Sequence, residues 1–146
     1  QGVPVGTEIP DLTPTPGKAA VTGHSLLIAI ATDAHLLPIQ LQRLCKRAAL
    51  GMARTGGIST HGSGDLSIAF STAATTGSKG ASTIKGEMLH FSQITNLHQA
   101  VVEATEEAIL NALTAARTMV GRDGNRIFAL PLDRFVDAMR RYGRLK

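Results

Sequence analysis

The chain has 146 residues, 43% of them hydrophobic and 18% charged, which excludes disordered and collagen-like classes and suffices for one domain with a real core. Its net charge is +4, but Lys and Arg are dispersed and aromatics make up only 3%, so the stacking platforms that a nucleic-acid binder interleaves with its cations are missing. The apolar run Leu26 to Ala31 is too short to span a bilayer and no charged signal-peptide region opens the sequence, so neither nucleic acid nor membrane is expected as a partner.

Residues 1–24 carry Pro4, Pro10, Pro14 and Pro16 among several glycines without an apolar period, the pattern of a connecting segment. Because the chain starts at Gln1 rather than Met, we expect a fragment or a processed chain. Gly23-His24-Ser25 then delivers a serine onto the apolar run Ser25 to Thr32, which predicts a strand covered on both faces. The junction reads as a self-cleavage site. A cut between His24 and Ser25 would leave one residue holding both a hydroxyl nucleophile and an α-amine able to activate it.

A helix is expected from Leu37-Pro38 to about Arg54, with Leu37, Leu41, Leu44, Cys45, Ala48 and Met52 on one face. The lone Cys45 rules out an internal disulfide and suits a reducing compartment such as the cytoplasm. A glycine-dense loop over 55–65 leads into Leu66 to Thr72, which alternates like a half-buried strand. Thr75 to Lys85 reads as a surface loop. A long helix capped by Thr95 or Asn96 should reach about Thr118, with Ile94, Leu97, Val101, Ala108, Ala112 and Ala116 near core spacing. A turn at Arg122 to Asn125, a short strand from Arg126 to Ala129, and a final helix from Pro131 to about Tyr142 complete an α/β order.

Most chemical patterns can be set aside. The glycine-rich run Gly56 to Gly64 lacks the Lys-Ser/Thr ending of a phosphate loop and precedes a strand. The histidines at 24, 35, 61, 90 and 98 fall at no metal-ligand spacing, so no metal or other cofactor is expected. A Ser-His-Asp set could be drawn from Ser25 or Ser63 with His61 and Asp33 or Asp65, a weak signal.

Three features together are specific: Gly23-His24-Ser25 before the strand; Ala31-Thr32-Asp33 through Leu36-Leu37-Pro38 to Arg54-Thr55-Gly56; and Ser63-Gly64-Asp65 before Ala69-Phe70-Ser71-Thr72. With Ala100 to Ala112, Gly121-Arg122-Asp123-Gly124 and Arg141-Tyr142-Gly143, they closely resemble the C-terminal part of the DmpA-like L-aminopeptidase/D-amidase-esterase family, which includes the β-peptidyl aminopeptidases.

The resemblance implies an αββα sandwich of the N-terminal-nucleophile type, made as a precursor that cuts itself before a serine. It implies residues 1–24 as the tail of an α-chain and 25–146 as the β-chain part. Ser25 matches the nucleophile, and Ser63 and Asp65 match the serine and acidic residue beside it. Asp65 stands where some members use glutamate. The oxyanion-hole donors would lie in the α-chain, so the implied partners are that chain, a short peptide or amide substrate, and further copies in a tetramer of αβ units. An acyltransferase of the ornithine acetyltransferase type shares the architecture, but uses threonine at the cut. A non-catalytic fragment lacking its α-chain is the third reading.

Overall fold

In the computed structural model, which describes residues 2–12, 25–73, 80, 82–83 and 86–145, the β-branched and apolar run Leu27–Thr32 forms strand β1. Leu66–Ser71 forms β2, and the two pair in parallel with Leu27 opposite Leu66 and Thr32 opposite Ser71. Between them Pro38–Arg54 forms helix α2, as the parallel pairing requires of a crossover. Pro38 occupies the first turn, where its missing N–H costs nothing. The Leu37 N–H donates to Gln40 Oε1 at 2.9 Å and Gln40 Nε2 donates to the Leu89 carbonyl at 2.7 Å. Gln40 is therefore fully buried without an unsatisfied amide.

Helix α3 runs Ile94–Ala115 after a 3₁₀ turn at Phe91–Gln93. The predicted caps are corrected: Thr95 and Asn96 lie inside the helix, and the His90 side chain caps the preceding turn by accepting from the Ser92 N–H. The first part of α3 buries Ile94, Val101, Val102 and Thr105, whereas Ala108, Ala112 and Ala116 are exposed. Their spacing suited a core, but the buried positions of the helix end at Thr105.

The chain forms two compact units, residues 23–107 and residues 1–22 with 108–146. In the first, Leu44, Ala48 and Val101 make the buried centre, with Ile28, Ile30, Leu36, Leu41 and Leu97 packed around it. Helix α2 approaches α3 closely at Gly51, where a Cβ would stand 2.5 Å from the Val102 carbonyl oxygen. The inward residues of β1 alternate with exposed Leu27, Ala29 and Ala31. This corrects the strand expected to be covered on both faces: among the described residues the sheet buries one face only, and its other face presents Leu27, Leu66, Ile68 and Phe70 to solvent.

In the second unit, two short turns occupy what the sequence reads as pure connection, helix α1 at Val5–Glu8 and a 3₁₀ turn at Pro10–Leu12. Helix α4, Leu132–Arg141, meets them: Arg134 grips Asp11 with two hydrogen bonds of 2.6 and 2.8 Å, and Arg141 and Tyr142 both reach Glu8. Met119–Val120 (β3) and Arg126–Ile127 (β4) form a small antiparallel hairpin, of which only the second arm is legible from sequence. Among the described residues, no helix is long and apolar enough to cross a membrane.

Candidate active site

Because β1 and β2 are parallel and in register from Leu27 and Leu66, the residues just before each strand lie side by side. Ser25 precedes β1; Ser63, Gly64 and Asp65 precede β2. The Gly64 N–H donates to Ser25 Oγ at 2.9 Å. The absence of a side chain at Gly64 leaves ordinary room there, since a Cβ would lie 3.4 Å from that oxygen. Ser25 Oγ thus accepts a backbone hydrogen bond, which leaves the hydroxyl's donor capacity uncommitted by that contact.

Asp65 is the hub of the loop. Its Oδ1 accepts from the Leu26 N–H at 2.8 Å and from Ser63 Oγ at 2.8 Å, and its Oδ2 accepts from Ser59 Oγ at 2.7 Å. Donors to the charged form favour it, and the hydroxyl of Ser59 foremost, then that of Ser63 and the Leu26 N–H, hold the Asp65 carboxyl below the usual carboxylate range. The carboxylate is therefore an anion at neutral pH, one peptide away from Ser25.

The loop that carries these groups leaves α2 through Thr55, whose hydroxyl and N–H both donate to the Met52 carbonyl. Gly56 turns it with φ +97°, a conformation glycine adopts without penalty. Ser59 takes the left-handed region too, at φ +47°. For a residue with a Cβ this costs on the order of 1 kcal/mol. The Ser63 N–H closes the turn onto the Thr60 carbonyl at 2.7 Å.

Ser25, Ser63 and Asp65, the three residues that the resemblance implies, thus lie at neighbouring strand beginnings, with Ser63 turned to Asp65. His24 and the junction itself lie outside the described residues, as does most of the loop expected at 75–85. His61 is in an exposed turn. Asp33 follows the far end of β1, eight residues from Ser25 and hence on the order of 25 Å along an extended chain, which removes it from any triad with Ser25. Ser59 was missed, because a serine carries no sequence signal for a positive φ; its only legible trace is its place among four glycines, at 56, 57, 62 and 64. Among the described residues no group of three or more His, Cys, Asp or Glu side chains could hold a metal ion.

The model of peptidase family S58 matches residues 1–127. The chain is 40% identical to the β-peptidyl aminopeptidase BapA of Sphingosinicella microcystinivorans, a match covering 99% of this chain and 39% of that protein. Among solved structures, the L-aminopeptidase D-Ala-esterase/amidase of Ochrobactrum anthropi, described as a variant among the Ntn hydrolase fold, is 36% identical with a TM-score of 0.74, over 82% of this chain and 34% of that one. A Burkholderia β-aminopeptidase is 41% identical with a TM-score of 0.82, over 99% of this chain and 40% of that one. These likenesses bear out the expected α/β fold of the N-terminal-nucleophile type. The chain spans about two fifths of the length of the curated relatives it matches.

Proposed function

The chain belongs to peptidase family S58, and from that premise we propose that it carries the nucleophile of a self-processing serine aminopeptidase or amidase acting on short peptides, amides or esters. Ser25 is the nucleophile, freed by cleavage of the His24-Ser25 bond, and Ser63 and Asp65 serve it. The observation that carries this reading is the placement of Ser25 Oγ on the Gly64 N–H at 2.9 Å, beside a carboxylate bonded to the next peptide.

In the processing step Ser25 Oγ attacks the carbonyl carbon of residue 24. The C–N bond breaks, the hydroxyl proton passes to the departing nitrogen, and an ester forms on Oγ. Water hydrolyses that ester, giving a carboxylate at residue 24 and a serine with a free α-amine. The amine has a reference pKa of about 7.7–8.0, so roughly a tenth of it is neutral at pH 7 and able to take the hydroxyl proton. In turnover Oγ attacks the substrate carbonyl, the leaving amine takes a proton from the ammonium, and water hydrolyses the acyl-enzyme. The Gly64 N–H stabilises negative charge on Oγ, while the fixed Asp65 anion favours the ammonium formed next to it.

The α-chain of the same precursor supplies the oxyanion-hole donors, covers the exposed sheet face, and assembles with this part into αβ units that associate further. Intact masses of the full-length gene product and of its Ser25→Ala variant test the reading. Splitting between His24 and Ser25 in the parent alone is the expected result; both remaining whole under folding conditions would overturn it.

A further inference from the structure

We propose that Ser59 is a positioning residue whose hydroxyl fixes the Asp65 carboxylate against the start of β1, an inference that rests on the serine-nucleophile reading above. The two oxygens of Asp65 have divided tasks. Oδ1 takes the Leu26 N–H and Ser63 Oγ, and so ties the loop to the residue following Ser25. Oδ2 takes Ser59 Oγ at 2.7 Å, from six residues upstream. The terminal torsion of aspartate is soft and roughly two-fold, so Oδ1 contacts alone leave the carboxylate plane free to rock about them. A donor on Oδ2 from another part of the loop removes that freedom.

The backbone gives the second reason. Ser59 sits at φ +47° within a loop that uses glycine at 56, 57, 62 and 64. Glycine would adopt the same φ at no steric cost. What glycine lacks is the hydroxyl, and the hydroxyl is the group that reaches Asp65. The lowered ionisation range of Asp65, with the Ser59 hydroxyl its largest cause, agrees with the geometry.

Glycine and asparagine substitutions separate the two properties. In the full-length protein, Ser59→Gly keeps the positive φ and removes the donor, whereas Ser59→Asn tolerates the same φ and restores a donor through its carboxamide. The rate of self-cleavage and the kcat and KM for α- and β-aminoacyl p-nitroanilides are measured for both, with thermal midpoints, beside Ser25→Ala. Positioning predicts that Ser59→Gly, though its midpoint drops by the lost hydrogen bond, stays fully folded at the assay temperature, loses roughly tenfold in kcat with KM within about twofold, and is partly rescued by asparagine, since sub-ångström misplacement near a reacting centre acts on kcat. Parental kcat and cleavage in Ser59→Gly would overturn the proposal. So would a loss confined to variants that are unfolded at the assay temperature. If Ser25→Ala still cleaves and turns over, the nucleophile reading itself falls, which distinguishes that failure from this one.

Discussion

Asp65 holds the peptide that follows the candidate nucleophile: the Leu26 N–H donates to its Oδ1 at 2.8 Å, across 39 residues of sequence. The carboxylate therefore braces the chain just after Ser25, and its charge bears on folding as well as on chemistry.

Asp65→Asn tests that bond through pH. The folded carboxyl ionises below its ordinary range, with the Ser59 hydroxyl the main cause, followed by Ser63 and the Leu26 N–H. A depressed folded pKa contributes stability that is present above the unfolded value of about 3.9 and is lost as pH falls through the folded one. Between about pH 5 and pH 3 the thermal midpoint of the parent should fall more steeply than that of Asp65→Asn. Identical slopes would show that the three hydrogen bonds do not favour the anion.

Gly64 offers a graded steric probe. A Cβ there meets Ser25 Oγ at 3.4 Å, ordinary contact, and its φ is not positive. Gly64→Ala should fold normally and still cleave, whereas Gly64→Val crowds the hydroxyl and should slow cleavage strongly at an unchanged midpoint. Mass spectrometry over time separates the two. Equal rates would mean that Ser25 Oγ is not confined by this backbone.

Gly51 is a test of packing alone. Alanine would gain about 1 kcal/mol of helix propensity over glycine, but its Cβ would lie 2.5 Å from the Val102 carbonyl oxygen and 2.6 Å from the Thr105 Cβ. Backbone cannot swing aside as a side-chain tip can. The clash wins, and Gly51→Ala should cost about 1–3 kcal/mol as other overpacked sites do, read from urea unfolding. A stabilised variant would mean that α2 and α3 are not so closely apposed.

The open face of the β1–β2 sheet makes a prediction about the polypeptide in isolation. Leu27 is 79% exposed, Leu66 and Ile68 64% each, and Phe70 48%, a contiguous apolar surface on a sheet that is two-stranded among the described residues. The 146-residue chain alone should aggregate or bind an apolar dye, and Ile68→Lys should relieve this while blocking assembly of the full-length protein. A monodisperse, cooperatively melting monomer of the parental chain would contradict the need for a covering partner.

The sequence made α2, both long strands and α4 legible because each follows one strong local rule: Pro38 in a first turn, an apolar run of strand length for β1, apolar and polar alternation for β2, and Pro131 opening the last helix. The start of α3 was harder. Thr95 and Asn96 have the right side chains for a cap, but His90 and a 3₁₀ turn intervene upstream. Exposed Ala108 and Ala112 show the limit of periodicity, which states what a helix face can bury and not whether a neighbour is there. At the site, Ser25, Ser63 and Asp65 were legible through motif resemblance, while Ser59 depends on a backbone torsion that no residue type announces.

The parallel ladder has a consequence for how the loops can vary in length. Leu27 faces Leu66, so the distance from Ser25 to Asp65 is counted in strand steps from that pair and not along the intervening loop. One residue inserted between Gly57 and Ile58, upstream of Ser59, adds slack that a glycine-rich turn can take up. One inserted between Asp65 and Leu66 carries the carboxylate about 3.3 Å back and onto the opposite side of the sheet. The alignment of two strand beginnings is thus the ruler of this site, and its tolerance is less than a single residue.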